Sequence, residues 1–158
     1  MESPAVRPPT LLGLPSYLAG HVSRIGHRAL VADLAAHGLR LPHFAVLTGL
    51  HDLGPLGQHE LADRLGLNRS HLVGYLDRLE KAGLLSRVRD PGDRRRQQVV
   101  LEPAGKRLAA ELVERARAGE AADLAMLSPD ELATLTDLLR RVLVADDATA
   151  GGVRAAGE

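Results

Sequence analysis

The sequence predicts a mostly α-helical fold with one small β-hairpin, and three observations support this. Apolar residues recur at helical spacing through most of the chain, as in the series Leu72, Leu76 and Leu79. Two short runs at 84–88 and 97–101 flank the sequence Arg-Asp-Pro-Gly-Asp-Arg-Arg-Arg at 89–96, which is typical of a hairpin turning at Pro-Gly. A chain of 158 residues that is 45% hydrophobic is sized for one domain with its own core.

The N-terminal third of the chain predicts an arm and two helices. Residues 1–15 are rich in proline, and we expect them to form a flexible arm. Ser16 is a candidate N-cap for a first helix that ends near His37-Gly38. Because proline suits the first position of a helix, Pro42 is expected to open a second helix, which ends at Gly54-Pro55.

The next two helices are separated by a tight turn. The first spans about residues 58–65 with Gly66 as its C-cap, and the second follows a candidate N-cap at Asn68 and ends at Gly83. A short helix, a tight turn and a longer helix with an apolar back form the helix-turn-helix pattern. This pair of helices runs directly into the hairpin.

Two further helices are predicted after the hairpin. Pro103 starts a long helix to about Ala125, about 23 residues or about 34 Å at the standard helical rise. Ser128 as N-cap, with Glu131 three residues later, is typical of a capping box in which each side chain accepts a backbone N–H of the other residue. This box is expected to open a final amphipathic helix that ends at about Val144. Residues 146–158 are rich in alanine, glycine and charge, and we expect them to form a flexible tail behind a single domain at 16–145.

Positive charge is concentrated on the helix-turn-helix and the hairpin. The formal net charge of the chain is zero, which argues against a generally basic nucleic-acid binder. Residues 69–96, however, contain eight Arg or Lys against four Asp or Glu, whereas residues 102–158 contain seven against eleven. A cluster of guanidinium groups on a protruding hairpin suits a groove lined by phosphates.

Several classes of site and compartment are not supported by the sequence. The chain has no cysteine, and its seven histidines include no pair at i, i+4 spacing, so neither a metal site nor another cofactor is expected. No nucleophile and base pair, phosphate-binding glycine motif or paired-carboxylate site is visible, so we do not expect an enzyme. The lack of a signal-peptide pattern and of an apolar run of membrane-spanning length predicts a soluble, cytoplasmic protein with no membrane partner.

Several motifs together resemble the MarR family of bacterial transcription regulators. Within about residues 57–106 they are Glu60-Leu61-Ala62, Arg69-Ser70, Asp77 to Leu84, Asp93-Arg94-Arg95 and Val100 to Gly105. The resemblance implies a winged helix-turn-helix at about 42–102, in a homodimer whose dimerisation region comes from the helices at about 16–37 and 103–145. It also implies that a small ligand weakens DNA binding.

Two groups of residues are expected to contact double-stranded DNA. The exposed N-terminal half of the helix at 69–82 has the geometry of a major-groove reader, and Val73 is placed to touch a thymine methyl group. For the hairpin, or wing, the resemblance implies that Arg95 enters a minor groove and that Asp93 orients its guanidinium, while Arg94 and Arg96 meet phosphates. The alternative for each of the two groups is an ordinary solvated surface that does not contact DNA. The full expected set is Arg69, Ser70, His71, Val73, Gly74, Arg78, Arg87, Asp93, Arg94, Arg95 and Arg96.

A small-molecule pocket is expected between the first two helices and the DNA-binding lobe, where family members bind aromatic acids. The polar groups that the helix pattern directs there are Tyr17, His21, Arg24, Arg28, His43 and His51. Arg24 and Arg28 are four residues apart and share one helix face, which suits an anionic ligand or an acidic group of a partner chain.

The sequence therefore leaves two classes of function open. The first is a homodimeric repressor that binds a pseudo-palindromic operator and is released by a small anionic aromatic ligand. The second is a winged-helix module without sequence-specific DNA binding, whose basic face docks an acidic protein partner. The zero net charge and the sparse polar face of the reading helix keep the second class open.

Overall fold

The computed structural model describes residues 7–155, with side chains described as far as residue 149. The elements are α1 (Pro9–Leu12), α2 (Pro15–Gly26), α3 (Arg28–Ala36), α4 (Leu41–Leu53), α5 (Gln58–Leu65), α6 (Arg69–Lys81), β1 (Leu85–Arg89), β2 (Gln97–Leu101), α7 (Pro103–Asp123) and α8 (Pro129–Ala155). The two strands pair antiparallel, so the expected mostly helical fold with one hairpin is confirmed. Residues up to Ala121 form one compact unit, and residues from Ala122 form a second.

The first unit is built around a core of leucines. Leu47 on α4, Leu61 on α5 and the series Leu72, Leu76 and Leu79 on α6 are fully buried in one cluster. The hairpin adds Leu85, Val99 and Leu101, and α7 adds Leu108 and Leu112 to the same cluster. Burial of one face of α6 leaves the opposite face of that helix at the surface.

Local chemistry sets the turn between α5 and α6 as the sequence predicts. Gly66 ends α5 in the left-handed conformation with φ of 61°, which a residue without a Cβ adopts at little cost. Asn68 caps α6, and its Oδ1 accepts the backbone N–H groups of Ser70 at 2.9 Å and His71 at 3.4 Å. These two devices fix where the exposed face of α6 begins.

The root of the hairpin is tied to the loop between α4 and α5. Leu85 pairs with Leu101 and Arg87 pairs with Val99 in the β1–β2 register. Val99 also exchanges two backbone hydrogen bonds with Leu56, at 2.7 Å and 3.3 Å. Because a two-stranded hairpin is only marginally stable alone, these bonds help to hold it on the helical core.

The first predicted helix differs from the structure. One helix is expected from Ser16 to about residue 37, but the chain forms α2 and α3 separated by His27, and Leu14 rather than Ser16 is the N-cap of α2. Gly26, a weak helix former, ends α2 at a close approach to α7, where a Cβ added at Gly26 would lie 3.2 Å from Oε1 of Glu120.

Helical structure also extends beyond the predicted limits at both ends of the chain. α1 lies within the segment expected to be an arm, and α8 continues from Val144 to Ala155 through the segment expected to be a tail. Alanine-rich sequence favours this continuation, and Oγ1 of Thr149 donates to the carbonyl of Ala145 at 3.0 Å. Residues 1–6 and 156–158 of the expected arm and tail lie outside the described residues.

Within the second unit, α8 begins with the capping box that the sequence predicts. The backbone N–H of Ser128 donates to Oε2 of Glu131 at 2.8 Å, and the backbone N–H of Glu131 donates to Oγ of Ser128 at 3.2 Å. Beyond this cap, α8 carries a group of exposed apolar side chains, which are Leu138, Leu139, Val142, Leu143 and Val144. Within the part of the chain that the structure describes, no helix combines the length and apolar character needed to cross a bilayer.

Gly105 allows the first turn of α7 to lie directly against the start of β1. A Cβ added at Gly105 would lie 1.9 Å from the carbonyl oxygen of Leu84, a backbone atom that cannot move without displacing the strand. The same carbonyl accepts the backbone N–H of Glu102 at 3.0 Å. The glycine is therefore required by space rather than by backbone conformation.

We predict that Gly105→Ala lowers the free energy of unfolding by about 1–3 kcal/mol, because overpacking outweighs the gain in helix propensity. The matched control is Gly20→Ala on α2, where nothing lies within 4 Å of an added Cβ. That variant is expected to gain up to about 1 kcal/mol. Urea denaturation followed by circular dichroism measures both, and equal effects at the two glycines would contradict the steric reading.

His43 is a buried histidine at the start of α4, with 4% of its surface exposed. Its Nδ1 accepts the backbone N–H of Arg40 at 3.0 Å, a bond that requires this nitrogen to be unprotonated. Its ring packs edge-on against Tyr75 of α6, with ring centroids 5.2 Å apart. Burial is the main cause that lowers the pKa of His43 below its ordinary value of 6.5. The backbone of Arg40 opposes this in part, and the charges of Arg40 and Arg78 add to it, so the net shift of the pKa is downward.

We predict that acid destabilises the fold through His43. Because the pKa is lowered in the folded state, the unfolded chain takes up the proton first, so the contribution of His43 is complete above about pH 6.5 and is lost as the pH falls through the folded-state pKa. The variant His43→Asn, whose amide oxygen can accept the Arg40 N–H, should show a weaker fall in unfolding free energy below pH 6.5. His59 is exposed, so His59→Asn serves as the control. If the unfolding free energy of His43→Asn depended on pH as in the wild type, the prediction would be contradicted.

Candidate nucleic-acid interface

The exposed face of α6 carries the residues expected to read the major groove. Arg69, Ser70, His71, Val73 and Gly74 are all exposed, and the buried series Leu72, Leu76 and Leu79 lies behind them. Val73 is 41% exposed, and nothing lies within 4 Å of a Cβ added at Gly74. The structure thus places these five predicted residues together on one accessible surface.

Two of these residues already have partners on the helix-turn-helix itself. The guanidinium of Arg69 donates from one nitrogen to both carboxylate oxygens of Asp63 on α5, at 2.9 Å and 3.1 Å. The hydroxyl of Ser70 donates to Oδ1 of Asn68 at 2.5 Å, so it takes part in the cap of α6. Both contacts are exposed, which allows them to be exchanged for others at low cost.

An open cavity of about 580 Å³ lies beside this face of α6. Its walls include Arg40, His43 and Tyr75 as well as three of the predicted DNA contacts, Ser70, His71 and Gly74. Arg78 also lines it, and Nε of Arg78 donates to the carbonyl of Gly38 at 3.4 Å. Sequence reasoning missed Arg40 and Tyr75, although the i, i+4, i+7 spacing of His71, Tyr75 and Arg78 was a signal that Tyr75 shares this face.

The wing tip is ordered by two aspartates and carries exposed arginines at 94–96. Oδ1 of Asp93 accepts the backbone N–H of Arg95 at 3.0 Å, and Oδ2 of Asp93 lies 3.6 Å from Nε of Arg96. Asp93 therefore orients the backbone of Arg95, whereas the resemblance implies that it orients the guanidinium. Asp90 accepts the N–H of Gly92 at 2.8 Å and the side-chain amide of Gln98 at 3.1 Å, which ties the turn to β2.

A second open groove, of about 670 Å³, separates the wing from the start of α5. Arg95, Arg96 and the two glutamines of β2 line one side, and residues 55–60 line the other. Two acidic residues, Glu60 and Asp90, also line this groove, so the wing arginines border a concave surface of mixed charge that continues to the helix-turn-helix.

Arg87 occupies a different environment from the other predicted DNA contacts. Its guanidinium donates to Oδ1 of Asp77 and to Oε2 of Glu80, both at 2.6 Å, and its side chain is only 20% exposed. The structure thus joins Arg87 to α6 rather than to the exposed arginines of the wing tip.

The six residues expected around a ligand fall into separate surroundings. The rings of Tyr17 and His21 are in tilted contact, with centroids 4.3 Å apart and planes at 52°, and Nη2 of Arg24 donates to Nδ1 of His21 at 2.6 Å. The pKa of His21 is lowered by partial burial first and then by the charges of Arg24 and Arg7. Arg28 opens α3, His43 contacts Tyr75, and His51 lies 3.0 Å from Asp52 at the other end of α4.

Several known transcription regulators are similar to this chain in sequence. A sequence profile of the MarR family matches residues 39–96. The HTH-type transcriptional regulator PecS of Dickeya dadantii is 32% identical over 134 residues, which are 81% of each chain. Three HTH-type regulators of Bacillus subtilis match over only 58%, 55% and 38% of their own length, so the chain spans about half the length of these relatives.

Solved structures extend the similarity to the fold. The PcaV transcriptional regulator of Streptomyces coelicolor, solved with its natural ligand, is 34% identical, with a TM-score of 0.71 over 91% of this chain and 99% of that one. A mutant of E. coli MarR bound to operator DNA is 26% identical, with a TM-score of 0.70 over 81% and 92%. PecS and PcaV are each more than 30% identical to this chain, and the similarity covers 81% and 99% of their lengths. The chain therefore belongs to the MarR family of winged helix-turn-helix transcription regulators.

Proposed function

We propose that the chain is a DNA-binding transcription regulator that acts as a homodimeric repressor on a pseudo-palindromic operator and is released by a small anionic aromatic ligand. The DNA-binding part is supported by the exposed face of α6 that carries Arg69, Ser70, His71, Val73 and Gly74, which we call the reading face. A wing with three exposed arginines follows it along the chain. The operator complex of the E. coli MarR mutant supports it, because that protein shares the fold. The repressor part rests on the similarity to NicR of Pseudomonas putida, a transcriptional repressor 30% identical over 104 residues.

The reading face of α6 enters a major groove in this proposal. Arg69, Ser70 and His71 lie at the N-terminal end, where base contacts are concentrated in helix-turn-helix proteins. Val73 offers an apolar contact, and Gly74 lets the backbone approach the bases closely. Arg78, which lines the open cavity beside α6, meets a phosphate.

The wing enters the neighbouring minor groove. Arg95 is the residue that reaches into the groove, where a guanidinium gains from the negative potential of narrow A·T-rich DNA. Arg94 and Arg96 meet the phosphates on either side, and Asp93 holds the turn through the backbone of Arg95. The wing thus supplies clamping and a preference for groove shape.

The exposed apolar side chains of α8 are proposed to pack against a second copy of the chain. Leu138, Leu139, Val142, Leu143 and Val144 are between 43% and 68% exposed. Such a run of large apolar groups on one helix is costly to leave in water, and a symmetric dimer buries the same face of both copies. A two-fold symmetric protein presents two α6 helices to a two-fold symmetric operator.

The cluster of Tyr17, His21 and Arg24 on α2 is the proposed place for the anionic ligand. An aromatic ring beside a guanidinium can stack with an aromatic acid and pair with its carboxylate. Arg28 adds a further positive charge at the start of α3. PcaV, which shares the fold, was solved with its natural ligand, and this supports a ligand-responsive regulator.

We predict that Arg95→Ala weakens binding to DNA from upstream of the protein's own gene by about 1–3 kcal/mol and lowers the slope of log affinity against log salt. Fluorescence anisotropy at several salt concentrations measures both quantities. The control is Arg117→Ala, an exposed arginine on α7 that pairs with Glu114. Unchanged affinity and slope for Arg95→Ala would contradict the wing's role, and a wild-type protein that protects no DNA at physiological salt would favour the protein-interaction module.

The dimer is tested on α8. Introducing Leu139→Glu and Val142→Glu together should convert the protein to a monomer at micromolar concentration, because two charges would be desolvated in the apolar contact. Asp137→Lys, an exposed position on the side of α8 opposite both substituted residues, should leave the dimer intact. Multi-angle light scattering gives the mass of each protein, and a monomeric wild type would overturn the dimer.

A further inference from the structure

We infer that Arg87 is a positioning residue, which holds the wing at a set angle to the reading helix through Asp77 and Glu80 and does not itself contact DNA. This inference rests on the proposed DNA-binding function and assigns a further residue to it. It differs from the sequence expectation, in which Arg87 is one of the DNA contacts.

The strand register places Arg87 on the inward side of the hairpin. Arg87 pairs with Val99, and two positions earlier Leu85 pairs with Leu101. Side chains at paired and alternate positions share one face of a sheet, and Leu85, Val99 and Leu101 all point into the core. The stem of Arg87 therefore follows the core face, which explains why only 20% of its side chain is exposed.

Three hydrogen bonds join Arg87 to α6. The guanidinium reaches Asp77 and Glu80 at 2.6 Å each, through two different nitrogens. The backbone N–H of Arg87 also donates to the other oxygen of Glu80 at 3.2 Å. Asp77 and Glu80 are three residues apart and lie on one face of α6, so the strand is held at two points along the helix.

The charges around Arg87 disfavour a phosphate contact. One guanidinium lies between two carboxylates, so the cluster of three side chains carries a net charge of −1. A phosphate approaching Arg87 would be repelled by Asp77 and Glu80, and it would have to displace two short charge-assisted bonds. The exposed arginines at 94–96 offer the same phosphate a positive surface.

The cluster joins the two elements that are proposed to enter different grooves. α6 carries the major-groove residues, and the wing tip with Arg95 lies eight positions beyond Arg87 along the chain. A small change in the angle of β1 at its root is therefore magnified at the tip. The bonds between Val99 and Leu56 hold the hairpin to the α4–α5 loop. Among the hydrogen bonds and ion pairs described for residues 7–155, only those of Arg87 join β1 to side chains of the reading helix.

The first test is Arg87→Met, which keeps an unbranched stem and removes the guanidinium. We expect affinity for the upstream DNA to fall about tenfold, because the wing arginines are no longer held in place to meet the DNA. In hydroxyl-radical footprints, Arg87→Met should lose protection in the minor groove and keep the major-groove protection of guanine N7 from methylation. A direct phosphate contact by Arg87 would instead lower the slope of log affinity against log salt by about 1 and leave the minor-groove protection by the wing in place. That result, or unchanged affinity with an intact footprint, would overturn the inference.

A second variant should change the affinity for DNA in opposite directions, depending on whether Arg87 contacts a phosphate or positions the wing. Asp77→Ala with Glu80→Ala removes both acceptors of the guanidinium together with their negative charges and leaves Arg87 in place. If Arg87 contacted a phosphate, this change would strengthen DNA binding, whereas a positioning role predicts weaker binding and the footprint of Arg87→Met. Stronger binding therefore overturns the inference, even if Arg87→Met does not fold. A wild-type protein that fails to bind any DNA would instead refute the proposed function, so the two failures are distinguishable.

Discussion

The burial of one face of α6 is the constraint on which the rest of the structure depends. Leu72, Leu76 and Leu79 are completely removed from solvent, and this fixes the rotation of the helix about its axis. Each fully buried leucine contributes roughly 1.5–3 kcal/mol, so turning the helix by one position is costly. The residues between them are held at the surface by default, and the cap at Asn68 and the turn at Gly66 only set where that surface begins.

Features with a local cause could be predicted from the sequence, and those with a long-range cause could not. The limits of α5 and α6, the hairpin and the Ser128 capping box follow from neighbouring residues, and the structure has all of them. The break at His27 occurs where α7 passes close to Gly26, a contact between residues about 94 positions apart, for which helix periodicity contains no signal. The inward direction of Arg87 could have been found, because alternation along β1 places it on the same side as Leu85.

The arginines of the candidate interface differ in how tightly acidic partners hold them. Arg69 pairs with Asp63 while 56% of its side chain is exposed, and such surface pairs contribute about 0–1 kcal/mol. In the proposed complex, Arg69 exchanges this pair for a phosphate or a base. Arg87 has two partners and little exposure, so its bonds resist exchange. A net charge of zero is thus compatible with DNA binding, because the acidic groups order the basic ones.

The reading face of α6 makes the position of the wing important. In the proposed complex, Val73 and Gly74 lie on the part of α6 that faces the base edges, and neither side chain can form a hydrogen bond to a base. Selectivity must then depend more on the width and deformability of the grooves, which a protein senses through the spacing of its contacts. Spacing is informative only when the two contacting elements are held rigidly to each other. A helix with a sparse reading face therefore gains most from a wing that is fixed to it at the root.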